Sequence, residues 1–443
     1  MRPRIAHRSI VSLVLVLVAG CSAQTVVGGG GEKPVDACGN TTSGPTTVTG
    51  TLTGGTTWDA AHSPYVIARG DTLKVATGAT LTLDECTKVV LESGAGIHVD
   101  GHLQTNGTPQ SYVVITGNGG GRWNDISVTA PGWLGFNYTT IDHGGLPAAD
   151  GGAGATIVAN GGTAGNPITA PCLGFMNLSI TDSGSVGLLM KKNAFFVGGS
   201  DTLAITGTGA DVASSADAPL AVPLALDVAS LVDLPAPLDL NGKQPGIWVR
   251  GGTLGQEAML YDAGVPYLIH GDLTLDAPLD MRAGVTLAFA PHSTLTVHVS
   301  QGGAIDAGGT ASQPITFTSW SDSPGIGDWV GVMFEGDGTA PVVTGQMHHV
   351  TIEYAGGANT YSGQACEPNG YNENAALGFF GAIPTAGDFT DLTLAHTPSS
   401  GIVEGWTGDS VDLESANTFT DLAECAVVRP IPASGCTTEP TCL

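Results

Sequence analysis

The feature that most constrains the fold is a series of short segments that occurs twice along the chain. Each segment of the first half has a similar segment in the second half, and the order is the same in both. The matching pairs are PYVI (64–67) with PYLI (266–269), VIT (114–116) with PITFT (314–318), WNDI (123–126) with WVGV (329–332), TIDHGG (140–145) with TIEYAGG (351–357), and LSI (178–180) with LTL (392–394). The offset drifts only from 202 residues, between Pro64 and Pro266, to 214 residues, between Leu178 and Leu392. This recurrence is typical of an internal duplication of about 200 residues with small insertions.

Within each half, apolar residues alternate with polar ones, as in β-strands. Leu295, Val297 and Val299 show this period, and so do Leu81 and Leu83. The runs are short and are separated by Gly, Asn, Asp, Ser and Pro, which turns require. After residue 21 no amphipathic helix pattern exceeds two turns. The sequence therefore predicts an all-β fold, with the proline-flanked stretch 220–228 as an edge strand or a connection.

Composition supports a large core and excludes one class of partner. Glycine accounts for 66 residues, about twice its average share, while 42% of residues are hydrophobic and only 12% are charged. Fourteen basic residues against 40 acidic ones give a formal net charge of −26. Nucleic acid is excluded as a partner, because phosphate binding rests on clustered basic side chains.

The strand motifs resemble those of a known group. A Tyr-apolar-apolar strand, a G-x-T-L-T segment, a V-x-G-x-L-x-x-x-G-T segment, a P-I-x-F-T strand and a Trp strand are similar to right-handed parallel β-helix proteins. The subtype is that of bacterial cell-surface proteins and lipoproteins within the pectin-lyase-like fold. The resemblance covers roughly residues 48–420, fits well at Ile97–Leu103 and departs from the pattern at Pro291-His292. It implies a solenoid in which each coil stacks on the next, and an array of β-sandwiches is the alternative.

On this reading the chain divides into five parts. A signal peptide (1–20) and a flexible tether (21–47) precede the first β-helical copy (48–240) and the second copy (241–428). A Cys- and Pro-rich segment (429–443) is expected to cap the last coil, because a solenoid must cover its open strand edges.

The first 21 residues predict the cellular location of the protein. Arg2, Arg4 and Arg8 precede the apolar run 10–19, as in a secretory signal. Val18-Ala19-Gly20-Cys21 resembles a bacterial lipobox, which implies cleavage before Cys21 and lipidation of that residue. Ser22, where an Asp would favour the inner membrane, indicates the outer membrane, and the face to which the protein is exposed stays open. The alternative is ordinary secretion without a lipid.

After lipidation of Cys21, seven cysteines remain, and disulfides are permitted outside the cytoplasm. Cys436 and Cys442 are close enough in sequence for a disulfide between them to close a small loop and restrain the C-terminus. The other pairings cannot be assigned from sequence, and an odd count leaves one thiol unpaired or intermolecular. The absence of C-x-x-C spacing argues against a zinc site.

Enzyme motifs of the pectin-lyase-like fold are largely missing. Asp142-His143 looks like the I-D-H segment of pectate lyases, whose carboxylate helps to bind calcium. The second copy has Glu353-Tyr354 at this place, however, which indicates a strand repeated for packing. The lyase R-x-P-x-x-R context and the hydrolase motifs N-T-D, D-D, G-H-G and R-I-K do not occur.

Two weaker sets of binding residues stand out. Asp322, Asp328, Glu335 and Asp337 are candidate Ca²⁺ ligands, since hard oxygen ligands suit this ion. They lack the ligand order of a calcium loop, so the alternative is that they are loop charges. Trp133 and Trp320 have no counterpart in the other half and are candidates for stacking on sugar rings, whereas Trp123 and Trp329 recur and indicate packing.

Together these observations favour a non-enzymatic cell-envelope lipoprotein. The expected role is a β-helical scaffold or adhesin-like protein that is held in the outer membrane by its lipid and binds a glycan or another envelope protein. No cofactor is expected beyond possible Ca²⁺. The alternative is a polysaccharide lyase or glycoside hydrolase with an atypical site.

Overall fold

The computed structural model describes residues 38, 43–119, 121–147, 154–161, 172–212, 219, 221–336, 342–366 and 373–436. Within these ranges the chain is almost entirely strands and turns. In the first half the strands are β1 (Thr46–Val48), β2 (Thr51–Leu52), β3 (Gly55–Trp58), β4 (Tyr65–Ile67), β5 (Thr72–Val75), β6 (Thr80–Asp84), β7 (Lys88–Leu91), β8 (Gly96–Val99), β9 (His102–Asn106), β10 (Val113–Gly117), β11 (Ile126–Thr129), β12 (Trp133–Asp142), β13 (Ala155–Asn160), β14 (Cys172–Thr181), β15 (Val186–Met190), β16 (Phe195–Phe196), β17 (Asp201–Thr208), β18 (Leu224–Asp227) and β19 (Leu238–Gly242).

The second half continues the same pattern. Its strands are β20 (Ile247–Leu254), β21 (Ala258–Leu260), β22 (Tyr267–Leu275), β23 (Pro278–Arg282), β24 (Thr286–Phe289), β25 (Thr294–His298), β26 (Ala304–Gly308), β27 (Ile315–Ser319), β28 (Gly331–Glu335), β29 (Gly345–His348), β30 (Val350–Glu353), β31 (Ala375–Phe380), β32 (Phe389–Thr390), β33 (Thr393–Thr397), β34 (Ser400–Gly405), β35 (Thr418–Leu422) and β36 (Val427–Val428). Short 3₁₀ turns lie at Ala60–His62, Val228–Leu231, Val299–Gln301 and Ala386–Asp388.

The strands build three-sided coils that stack on one another. Successive strands turn from one sheet to the next, so β4, β5 and β6 belong to three different faces and pair with β7, β8 and β9 one coil further on. These ladders are parallel, and the named strands form long parallel sheets along the stack. The all-β prediction and the stacked-coil prediction are therefore confirmed.

Some strands are long enough to cover two faces. Residues 133–135 of β12 pair with β9, whereas residues 139–141 pair with β10. The bend lies at Tyr138, whose φ of 41° is left-handed, and Asn177 makes the same bend in β14 with a φ of 56°. In the second half β22 is shared in the same way between β24 and β25.

Inward-facing apolar side chains form one continuous core. Val75, Val99 and Val128 are register partners in successive coils and are fully buried. Each fully buried side chain of this kind contributes about 1.5–3 kcal/mol. The core runs from Trp58 to Val427, so the boundary expected between residues 240 and 241 falls inside β19 and within a single core.

The two halves share local geometry at matching positions. The indole Nε1 of Trp123 donates to the carbonyl of Asp142 at 2.8 Å, and that of Trp329 donates to the carbonyl of Glu353 at 2.9 Å. The residues that follow these carbonyls, His143 and Tyr354, have φ values of 59° and 58°. Duplication as the origin of this likeness stays a prediction.

One strand prediction is wrong. β18, within the stretch expected to be an edge or a connection, is an inner strand that pairs with β15 and β20. The reason is that Pro223 lies just before the strand, so no N–H of the ladder is lost.

The expected disulfide between Cys436 and Cys442 is also wrong. Cys436 is bonded to Cys366, and Cys38 is bonded to Cys86. Every cysteine within the described ranges is in a disulfide, so the expected odd thiol is not among them. Cys436 is far from Cys366 in sequence, but stacking of the last coils brings the two together.

The predictions for the N-terminus lie outside the described residues. These are the signal peptide 1–20, the lipidated Cys21 and most of the tether 21–47. Cys442 and Asp337 are likewise not described. No helix among the described residues is long and apolar enough to cross a bilayer.

Candidate functional site

A connected group of charged side chains lies at a corner of the coils in the first half. It comprises Arg122, Asp142, His143, Asp182 and Asp211, and is called the corner cluster below. Asp142 ends β12 and pairs in register with Thr181 at the end of β14, so that His143 and Asp182 follow in successive coils. Both take left-handed φ values, 59° and 53°, which turn the chain at this corner.

The distances show a connected network. Arg122 Nη2 lies 2.9 Å from Asp182 Oδ1, and Arg122 Nε lies 2.8 Å from Asp211 Oδ2. His143 Nε2 lies 3.0 Å from Asp182 Oδ2. Its Nδ1 lies 3.1 Å from Asp142 Oδ1, but the two are not aligned for a hydrogen bond, and this buried ring nitrogen has no hydrogen-bond partner among the described residues. Asp182 thus bridges the guanidinium and the imidazole.

Arg122 is fixed as a cation by this network. Burial would lower its pKa, but hydrogen bonds from the guanidinium to Asp182 and Asp211 outweigh burial and raise the pKa above its usual value. A group of this kind holds its proton at any physiological pH. Arg122 can therefore orient carboxylates or bind an anion, but it cannot take a proton from a substrate as the basic residue of a lyase does.

The matching corner of the second half has different chemistry. Tyr354 stacks on His396, with ring centroids 5.1 Å apart and ring planes 18° apart, and His396 Nδ1 lies 3.3 Å from Asp421. Glu353 accepts a hydrogen bond from Thr318 at 2.8 Å. Asp328 precedes Trp329 where Arg122 precedes Trp123, so the charge is reversed.

The candidate Ca²⁺ ligands have other partners. Asp328 accepts hydrogen bonds from Ser319 Oγ at 2.7 Å and from the Gly325 N–H at 2.8 Å, which shape the loop 319–328. Glu335 accepts a hydrogen bond from the Tyr361 hydroxyl, and Asp322 is exposed. Within the described ranges no group of three or more His, Cys, Asp or Glu side chains is arranged to hold a metal ion.

A second histidine also lies between two carboxylates. His298 Nδ1 is 2.7 Å from Asp276 Oδ1, and its Nε2 is 3.6 Å from Glu335 Oε2. His298 and Glu335 are register partners, and Asp276 follows Leu275, the register partner of Val297, so the three residues lie at the same corner of successive coils. Sequence reasoning did not find this group, because its members are separated by full coils.

The two tryptophans proposed for sugar stacking differ in their surroundings. The Trp133 ring lies across Gly135, because a Cβ on that glycine would be 2.4 Å from Trp133 Cη2 and 2.6 Å from Cζ2. The ring is half-buried, and the exposed His102 meets it edge-on at 5.9 Å. Trp320 instead meets His270 edge-on at 6.1 Å, and His270 stacks on Trp248 at 5.2 Å, within an apolar cluster outside the main core.

Comparison with protein families gives one match. Residues 252–371 match the family model described as a pectate-lyase like beta helix domain. Those residues include β21 to β30, whose ladders are parallel. The protein is a parallel β-helix protein. Neither the curated proteins nor the solved structures contain a match to this β-helix chain.

Proposed function

We propose that this β-helix protein is a non-enzymatic scaffold of the cell envelope that binds a glycan on the face around Trp133. The observation that carries the proposal is the six-membered ring of the Trp133 indole lying over Gly135. Because the ring covers the Gly135 backbone, the accessible part of this half-buried side chain is directed away from the sheet. A sugar ring presents an apolar C–H face that packs on such a surface.

Polar groups next to the indole suit the hydroxyls of a sugar. His102 is exposed beside the ring, and the Gln104 amide donates to Thr82 Oγ1 at 3.2 Å on the neighbouring coils. A site of this kind combines an apolar platform with a few polar groups that fix orientation. Because the chain carries a formal charge of −26, a neutral glycan is favoured over an anionic one.

The location in the envelope rests on the sequence. The lipobox-like segment ending in Cys21 supports a lipid anchor, and the glycine run 28–31 supports a flexible link to the coils. An outer-membrane lipoprotein of this design would hold the stack of coils away from the bilayer. Another envelope protein is a further partner that such a scaffold could contact.

The alternative, a polysaccharide lyase or glycoside hydrolase, is favoured by one observation. The corner cluster holds three carboxylates, an imidazole and a guanidinium in direct contact, and glycoside hydrolysis needs two carboxylates facing one bond. Against it, Arg122 is fixed as a cation and His143 is held by Asp182. These contacts support a structural role for the cluster.

Substitution of Trp133 tests the binding proposal. We expect Trp133→Ala to weaken binding of the mature protein to a neutral polysaccharide by about tenfold, since an aromatic contact contributes about 0.5–1.5 kcal/mol beyond area burial. Gly135→Ala should weaken binding as well, because the new Cβ displaces the ring. Affinity electrophoresis in gels that contain single polysaccharides measures both effects.

Trp320→Ala is the matched control, because this half-buried tryptophan packs against His270. Equal loss of binding in Trp320→Ala and Trp133→Ala, or retention in all three variants, would contradict the proposed site. Incubation of the protein with the same polysaccharides, with and without Ca²⁺, tests the alternative. Release of products that Asp142→Asn abolishes would establish an enzyme in place of a scaffold.

A further inference from the structure

The apolar core ends in a carboxyl group at the C-terminal end of the stack. Val297, Phe334 and Phe379 are register partners in successive coils, and Glu404 of β34 is the partner of Phe379. Register partners in a parallel stack share a face, so Glu404 points to the core side of its strand. Its exposure is 0%, as that of Phe379 is.

A loop closes over this carboxyl group. Glu404 Oε1 accepts a hydrogen bond from the Val411 N–H at 3.0 Å, and Oε2 accepts one from Ser410 Oγ at 2.6 Å. Trp406 and Leu413, at the two ends of the same loop, are buried against the core. Residues 406–413 therefore occupy the position that a further coil would take.

The C-terminal tail holds this loop in place. The Ile431 N–H donates to the Trp406 carbonyl at 2.8 Å, and the Gly408 N–H donates to the Ile431 carbonyl at 2.9 Å. The tail is itself tied to the preceding coils by the disulfide between Cys366 and Cys436. Residues 406–413 and 429–431 are called the end cap below.

We propose that the end cap is a pH-dependent lid whose opening is controlled by the proton on Glu404. When the carboxyl group is neutral, the cap rests on an uncharged end of the core. When the carboxyl group ionises, a negative charge lies beneath the cap, and opening lets water reach it. The lid thereby adjusts access to the last core residues and to the edges of β35 and β36 that face away from β33 and β34.

The surroundings of Glu404 place this transition near neutral pH. Burial raises its pKa to about 7, although the hydrogen bonds from Ser410 and Val411 lower the pKa in part. Arg429 of the tail also lowers it, while Asp412 of the loop raises it. Because the pKa is higher in the closed state than in water, the closed state gains stability that is fully present below about pH 4.5 and is lost as the pH rises through 7.

Hydrogen exchange of the full mature chain tests the lid. We expect protection of amides in 406–413 and 429–431, after correction for the intrinsic pH dependence of exchange, to fall at least tenfold between pH 5.5 and pH 8.5. Glu404→Gln keeps an acceptor oxygen for the Val411 N–H, places an amide donor opposite the Ser410 hydroxyl, which can accept, and cannot ionise. Its protection in the end cap should therefore change little over the same range, while the middle coils exchange as in the parent protein.

Asp409→Asn is the matched control, since it removes an exposed carboxylate from the same loop. It should retain the pH dependence of the parent. A parent protein with constant protection would overturn the proposal, and so would a Glu404→Gln variant with the same decrease as the parent. Failure of Glu404→Gln to fold would be evident from rapid exchange in the middle coils. Ser410→Ala then provides the test, because loss of that hydrogen bond should shift the transition to higher pH.

Discussion

Arg122 is a largely buried positive charge in a strongly acidic chain. It is one of 14 basic residues against 40 acidic ones, and its guanidinium contacts two aspartates that belong to different coils. Its side chain is only 14% exposed, whereas Asp182 and Asp211 are 44% and 42% exposed. The guanidinium therefore offsets the repulsion among three carboxylates and joins coils that are otherwise held by backbone ladders.

Replacing Arg122 should destabilise the corner without changing the fold. We expect Arg122→Gln to lower the free energy of unfolding by about 1–2 kcal/mol, because a partly buried guanidinium loses charged hydrogen bonds to groups that water reaches. Urea unfolding followed by circular dichroism measures the difference. Arg69→Gln, at an exposed arginine with no ion pair among the described residues, should change stability by less than about 0.5 kcal/mol. An equal effect of the two substitutions would contradict the role of the network.

Sequence reasoning could find only part of the corner cluster. Asp142 and His143 were visible because they form a contiguous segment with a resemblance to known lyases. Arg122 and Asp211 are 89 residues apart, and their contact depends on how many coils lie between them. The number of residues per coil varies, so no spacing rule could bring these two side chains together.

At the scale of elements, the alternation of apolar and polar residues predicted where strands occur, but it did not predict where they end or bend. The alternation at Leu81 and Leu83 corresponds to β6, whose apolar residues are buried while the flanking threonines are half-buried. The bends in β12 and β14 were not predictable, because Tyr138 and Asn177 interrupt alternation by taking left-handed φ values. A tyrosine gives no sequence signal for this conformation, whereas a glycine would.

Trp123 and Trp329 allow the two halves to be compared by the loss of unfolding free energy that the same substitution causes in each. Trp123 and Trp329 are both fully buried, and each indole donates to a corner carbonyl. We expect Trp123→Phe and Trp329→Phe each to lower the free energy of unfolding by about 2–4 kcal/mol, since each leaves a carbonyl without its donor and a small cavity. Urea unfolding of both variants measures the two costs.

Equal costs would indicate that the two corners are energetically equivalent as well as similar in geometry. Trp133→Phe provides a comparison at a half-buried tryptophan, where the cost should be below about 1 kcal/mol. If one buried tryptophan were dispensable, the recurrence of Trp at this position would need an explanation other than packing.

For the whole molecule, the stacked-coil architecture determines how local changes spread. Each coil contacts its neighbours through parallel ladders, and one core runs through all of them. In such a stack, stability is close to a sum of coil and interface contributions, and the ends open most readily. The disulfides Cys38–Cys86 and Cys366–Cys436 lie near the two ends of the stack. Sequence proximity suggested Cys442 for Cys436, but the path of the chain around the last coils decides the partner.

Removal of the C-terminal disulfide should therefore act locally. Cys366 and Cys436 enclose a loop with a sequence separation of 70 residues, for which loop-closure entropy alone predicts about 4 kcal/mol. In a stack of coils this loss falls on the coils inside the loop. We expect the double variant Cys366→Ala/Cys436→Ala to exchange amide hydrogens faster in residues 400–436, while residues 72–129 exchange as in the parent protein.

The variant Cys38→Ala/Cys86→Ala should show the converse pattern, with faster exchange in the first coils and an unchanged C-terminal end. Uniform acceleration in either variant would mean that the stack unfolds as a single unit, contrary to the nearest-neighbour argument. The C-terminal variant also bears on the lid, because the tail that holds residues 406–413 would then lose its covalent link to Cys366. Its end cap should open at pH 5.5 as readily as that of the parent does at pH 8.5, since loss of the tether and ionisation of Glu404 weaken the same closed state.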